Sequence, residues 1–149
     1  MIIIRKAADE DKQKLQEIIK NANFNRFDVH HYSEHTMVVE LENTIVGCAS
    51  LDISDDLAVI RFVYILTDYQ NQGLGDGLVR ALINYADRRS VKKIYIFCDN
   101  KVDYFKRFGF NYITSNKFDK YETNNMNINK YPFIMELDVN EFFSKCQCH

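Results

Sequence analysis

The chain is 149 residues long, with 46% hydrophobic and 27% charged side chains, the size and make-up of one soluble globular domain rather than of a disordered, collagen-like or disulfide-dense chain. Its 19 Lys and Arg against 21 Asp and Glu leave a formal net charge of −2, with no basic run to release counterions from nucleic acid. The longest apolar stretch falls short of the about 20 residues that cross a bilayer, and Met1-Ile2-Ile3-Ile4-Arg5 has the pattern of neither a signal nor a transit peptide, so the expected setting is cytoplasmic, with no nucleic-acid or membrane partner.

In chain order, Ile2 to Arg5 reads as a short strand. Asp9 is placed to cap a helix in which Leu15, Ile18 and Ile19 recur at helical spacing, with acids first and Lys20 last. Thr36 to Leu41 and Ile45 to Leu51 read as strands of a hairpin turning at Glu42-Asn43-Thr44. Leu57 to Leu66 is almost wholly apolar without alternation, the pattern of a central strand covered on both faces. Gly75 to Arg89 places Leu78, Val79, Leu82, Ile83 and Ala86 on one helical face and ends in Arg88-Arg89. Lys93 to Cys98 is the next strand, so strand, helix and strand form a βαβ unit with parallel strands. A short helix near Val102 to Phe108 stops at Gly109, and strands around Phe110 to Ile113 and Phe133 to Leu137 close the domain. The single proline is Pro132 and no linker divides residues 1–149, which are read as one domain. The connection from Thr114 to Pro132 is long, polar and Asn-rich, of the kind that often carries function. Cys48 and Cys98 lie in apolar runs and Cys146 and Cys148 in a tail that matches no zinc spacing; all four read as reduced, and no metal is expected.

The chemistry is carried by Gln70-Asn71-Gln72-Gly73-Leu74-Gly75-Asp76-Gly77. Glycines at alternate positions before a helix let several N–H groups converge where the helix dipole is positive, which suits a phosphate; they equally permit a plain tight turn. A P-loop needs Lys followed by Ser or Thr, which is missing, and a dinucleotide fingerprint needs a third glycine where Leu78 stands.

The stretch from Val63 to Gly77, with Gln70, Gly73 and Gly75 as a Gln-x-x-Gly-x-Gly core, resembles the acyl-CoA-binding motif of the GNAT superfamily of N-acyltransferases. Ile4-Arg5-Lys6-Ala7 before a helix containing Asp11, and Tyr104-Phe105-Lys106-Arg107-Phe108-Gly109-Phe110 after the next strand, are similar to the family's opening and closing segments. The resemblance implies an α+β fold in α/β/α layers: a mixed, mostly antiparallel sheet of six to seven strands with a central parallel pair splayed apart, flanked by about four helices. It implies acetyl-CoA as cosubstrate, with backbone N–H groups of Asn71, Gln72, Gly73, Leu74, Gly75 and Asp76 around its diphosphate, and Gln70 opening the motif. Ile65 and Leu66 would pair with the pantetheine arm as with an added strand, a backbone N–H near Leu66 would stabilise the oxyanion, and Phe105 would lie against the cosubstrate. The Asp76 side chain is expected to point away from the diphosphate.

Phe105 stands where many family members carry the tyrosine that protonates the leaving thiolate, and phenylalanine donates no proton. Tyr104 is the neighbouring candidate acid, although about 100° around a helix. The central strand contains no acid to serve as base, which leaves Glu40, Asp52, His30, His31 and His35, with His31 taken as base relay. The acceptor is expected to be a primary amine of a small molecule or peptide, met by Asn23 to His35 and Thr114 to Pro132; a homodimer is compatible with the fold. The alternative to an N-acetyltransferase is a catalytically weak acyl-CoA-binding or sensor module.

Overall fold

A computed structural model describes residues 1–21, 34–114 and 131–146. The element order is β1 (Ile2–Lys6), α1 (Lys12–Asn21), β2 (His35–Leu41), β3 (Thr44–Ser54), β4 (Leu57–Ile65), α2 (Leu74–Arg88), β5 (Lys93–Cys98), β6 (Asn111–Ile113), β7 (Phe133–Asp138) and α3 (Val139–Cys146). Short 3-10 helices lie at Asp9–Asp11, Thr67–Tyr69 and Tyr104–Phe108. The strands form one seven-stranded sheet in the order β1-β2-β3-β4-β5-β7-β6. Every neighbouring pair is antiparallel except β4 and β5, which are parallel. The expected α+β architecture is present; among the described residues there are three α-helices rather than about four.

The sheet is sandwiched because its central strands are apolar on both sides. Leu15, Ile18 and Ile19 of α1 pack against Val38, Ile45, Cys48 and Phe62 on one face. Leu78, Val79, Leu82 and Ile83 of α2 meet Met37, Val39, Val46, Ala49 and Ile60 on the other, where Val139 and Phe142 of α3 join the same cluster. Each such side chain, fully buried, contributes on the order of 1.5–3 kcal/mol. The β2–β3 turn is two residues long, Glu42 and Asn43, with φ of 49° and 66°, the left-handed pair whose twist matches a hairpin.

Two expectations shift. Asp9 is not the cap: the first turn begins after Ala8, and Asp11, from inside it, accepts the Ala8 N–H at 2.7 Å. The third helix, α3, was not expected; Asp138 opens it by accepting the Glu141 N–H at 3.1 Å, an Asp-x-x-Glu start that the sequence carried in plain view. Gly109 ends the 3-10 helix Tyr104–Phe108 with φ of 105°, as expected of a left-handed stop.

Candidate active site

β4 and β5 pair only through Leu57↔Lys93, Ala58↔Ile94 and Val59↔Tyr95, although β4 continues to Ile65 and β5 to Cys98. Beyond Val59 the strands part. Just past that point β4 has a bulge: Phe62 opposes Ser50 and Ile60 opposes Leu51, leaving Arg61 as the extra residue. A cavity of about 680 Å³ has the parted end of β4 as one wall, through Val63, Tyr64 and Ile65. Tyr69, Gln70, Asn71 and residues Gly73 to Asp76 form its floor, and Val102, Tyr104, Phe105 and Arg107 its far side. The volume is that of a small-molecule site.

The floor is shaped by left-handed backbone. Asn71 has φ of 66° and Gly73 of 82°; asparagine is among the few side-chain-bearing residues that adopt this conformation readily. Gly73 is the N-cap of α2 and supplies no side chain to it, so the first intrahelical bond runs from the Gly77 N–H to the Gly73 carbonyl at 3.1 Å. The N–H groups of Leu74, Gly75 and Asp76 therefore precede the helix's own ladder, at the positive end of a 15-residue dipole. A Cβ on Gly73 would meet nothing within 4 Å, whereas one on Gly75 would stand 3.2 Å from the Tyr104 hydroxyl. These donors, in an open turn, fit a diphosphate.

The exit from β4 is braced. The Gln70 side-chain amide donates to the Ile65 carbonyl at 2.8 Å, and the Leu66 N–H donates to the Val46 carbonyl at 2.8 Å. The second bond corrects the role given to Leu66: its N–H faces β3 and is already used, so it is not the oxyanion donor. Cys48↔Tyr64 and Gly47↔Ile65 are opposed across β3 and β4, and backbone groups along a strand alternate sides. Alternation thus sends the N–H groups of Val63 and Ile65 towards the opened side. Leu66 and Gln72 are not among the cavity-lining residues, whereas Ile65, Gln70, Asn71, Gly73, Leu74, Gly75, Asp76, Tyr104 and Phe105 are gathered there.

Asp76 turns its carboxylate onto the 3-10 helix. It accepts the Tyr104 hydroxyl at 2.6 Å and Arg107 Nη1 at 3.2 and 3.3 Å. The Tyr104 hydrogen bond, with the charge of Arg107, holds the Asp76 carboxyl below the usual carboxylate range. Burial, reinforced by that carboxylate, pushes the Tyr104 phenol well above its ordinary value. The Tyr104 hydroxyl thus donates to Asp76 over the first turn of α2, and Tyr104 is among the residues that line the cavity. Phe105 stands edge-on to Tyr104 (5.0 Å between ring centroids) and Phe110 (5.8 Å), an aromatic wall in place of a proton donor.

The candidate bases are mostly occupied. Glu40 is bound to Arg5 at 2.7 Å and Asp52 to Arg61 at 3.0 Å. His35 places Nδ1 2.6 Å from the Tyr85 hydroxyl, and burial lowers its pKa. His30 and His31 lie outside the described residues. Cys48 is fully buried, with its thiol pushed up to about 12 by desolvation, and burial raises Cys98 as well. Val63, Tyr64, Tyr69, Val102 and Arg107 line the cavity without having been singled out in the sequence as site residues. Arg107, three residues after Tyr104 and so on the same side of a helical turn, had the most readable signal.

The family model for the acetyltransferase (GNAT) family matches residues 3–110. Over 75 residues the chain is 27% identical to an amino-acid acetyltransferase of Aeromonas salmonicida (strain A449), a match that covers 49% of this chain and 17% of that protein. Among solved structures, N-acetylglutamate synthase from Neisseria gonorrhoeae, complexed with coenzyme A and N-acetyl-glutamate, matches with a TM-score of 0.80 at 17% identity, over 93% of this chain and 35% of that one. The ribosomal-protein-alanine N-acetyltransferase from Escherichia coli matches with a TM-score of 0.72 at 20% identity, over 93% of this chain and 94% of that one. The chain thus spans about a third of the first of these structures and nearly all of the second.

Proposed function

The chain belongs to the acetyltransferase (GNAT) family, and from that premise we propose that it transfers the acetyl group of acetyl-CoA directly to a primary amine of a small molecule or peptide. The observation that carries this reading is the cavity in which a helix start without a side-chain cap meets the parted end of β4. Coenzyme A complexes among the matched structures support the choice of cosubstrate.

Acetyl-CoA supplies an activated thioester. The chain supplies the surroundings. Backbone N–H groups from Gln72 to Asp76 hold the diphosphate, with Asn71 and Gly73 keeping the turn left-handed. Val63 and Ile65, rather than Leu66, present N–H groups to the pantetheine arm and to the oxygen on which charge develops. Phe105 gives the cavity an apolar wall beside the acyl group. An amine of pKa ~10.4 costs about 4.6 kcal/mol to present uncharged at pH 7, and the apolar walls favour that neutral form. Cys48 and Cys98 are buried and neither lines the cavity, so no covalent step is assigned to them.

Titrating the full chain with acetyl-CoA, CoA and NAD in a thermal-shift assay tests the reading. Acetyl-CoA and CoA at about 100 times their Kd should each stabilise by ~2.7 kcal/mol, and NAD should not. Release of free CoA thiol with a panel of amino acids, polyamines and peptides then reads transfer; absence of both stabilisation and release would sink the reading. Phe105 favours a second one, a module that binds acyl-CoA and transfers poorly. That module predicts the stabilisation without release, and a Phe105→Tyr variant that releases CoA at least tenfold faster.

A further inference from the structure

An acid in the first turn of α2, beside the place assigned to a diphosphate, is electrostatically wrong on its own. The structure surrounds it with compensation. Asp76 receives Tyr104 at 2.6 Å and Arg107 at 3.2 and 3.3 Å, and the Arg107 guanidinium lies 4.4 Å from the centre of the Tyr104 ring. The charged and titratable groups acting on Asp76 are Tyr104, Arg107 and, one helical turn on, Arg80. Arg80 is itself stacked 5.5 Å above Phe108 and 5.9 Å above Phe142, leaving Arg107 as the cation in direct contact with the carboxylate. Asp76, Tyr104 and Arg107 all line the cavity.

We propose that Asp76 and Arg107 act as coupled positioning residues for the acyl-CoA diphosphate, Tyr104 holding the carboxylate on the 3-10 helix while Arg107 cancels its charge. This rests on the acyl-CoA reading above and adds to it a role for side chains in what is otherwise main-chain recognition. The pair also ties the Phe105 wall to the start of α2, since Tyr104, Phe105 and Arg107 lie within Tyr104–Phe108 and Asp76 in the first turn of α2. In this arrangement Arg107 works on Asp76 rather than on the phosphates.

The test is a double-mutant cycle on the full chain, with CoA as the probe in isothermal titration calorimetry at about 0.05 M and 0.5 M salt. Arg107→Gln exposes the carboxylate and should weaken CoA about tenfold at low salt, with a smaller loss at high salt. Asp76→Asn should bind CoA about threefold more tightly. The double variant should return to within about threefold of the wild type. Tyr104→Phe, which keeps the ring, should weaken CoA, and Asp76→Asn should reverse that loss too. A tenfold loss from Arg107→Gln that persists beside Asp76→Asn would overturn the proposal by making Arg107 a direct phosphate ligand. Asp76→Asn weakening CoA as much as Arg107→Gln, at both salt concentrations, would overturn it by making the contact purely structural. A wild-type chain that binds no CoA fails the acyl-CoA reading itself; one that binds without coupling fails only this proposal.

Discussion

The Gln70 side-chain amide and the Ile65 carbonyl meet at 2.8 Å, so the residue that opens the glycine-bearing turn is fastened to the last residue of the strand it leaves. Removing that bond in Gln70→Ala should lower stability by about 1 kcal/mol and let the turn drift, weakening CoA several-fold. Urea denaturation and calorimetry read the two effects. An unchanged affinity would show that the turn keeps its shape without the brace.

Gly73 has φ of 82° with open space where a Cβ would stand, so a side chain there is opposed by backbone conformation and not by crowding. Gly73→Ala should cost about 1–2 kcal/mol, and Gly73→Asn less, in line with the asparagine already held in the same conformation at position 71. Equal midpoints for the two variants in urea would contradict this.

Asp11 is 7% exposed and accepts Arg5 Nη1 and Nη2, at 2.7 and 3.1 Å, as well as the Ala8 N–H. The Arg5 hydrogen bond, more than any other contact, lowers its pKa. A depressed carboxylate stabilises the fold above its unfolded pKa of ~3.9, and that stability is lost as pH falls through the lower folded value. Asp11→Asn should therefore cost about 2 kcal/mol at pH 7, with the difference from wild type shrinking below about pH 4. Chemical denaturation from pH 7 to pH 2 measures the narrowing; a constant difference would remove Asp11 from the account.

His35 titrates with the opposite consequence for charge. Burial lowers its pKa against the attraction of Glu34, while Arg89 and Lys6 add to the lowering and Asp52 opposes it. The unfolded chain then binds the extra proton first, so stability should decline as pH drops below the ordinary histidine value of ~6.5. His35→Gln should flatten that decline below about pH 6.5, and Tyr85→Phe, which removes the 2.6 Å contact, should cost about 1 kcal/mol. Melting temperatures across that range decide it; an equal slope in His35→Gln would assign the pH response elsewhere.

Local signals in the sequence were enough for most elements. Lys93–Cys98 appears with the expected bounds because Ile94 to Cys98 is an unbroken run of apolar and aromatic residues between Lys92-Lys93 and Asp99-Asn100. Leu57–Ile65 is apolar but for Arg61, because α1 and α2 cover its two faces. The partners of Asp76 were not legible, since Tyr104 and Arg107 are 28 and 31 positions away and only the packed fold brings them in. The choice between Ile65 and Leu66 was lost for a subtler reason. The side each N–H takes follows from the pairing of β4 with β3, in which the Leu66 N–H meets Val46, and not from distance along the chain. Counting from the glycines cannot detect it.

The three residue pairs that join β4 to β5 divide the sheet mechanically into two leaves, β1 to β4 and β5 to β7, with α2 as the strap between them. A molecule wedged into the parting then works as a splint, adding rungs where the chain has none of its own. Its departure leaves the leaves hinged at Val59 and Tyr95, and amide protons of β4 beyond Val59 should be the first of that strand to exchange with solvent.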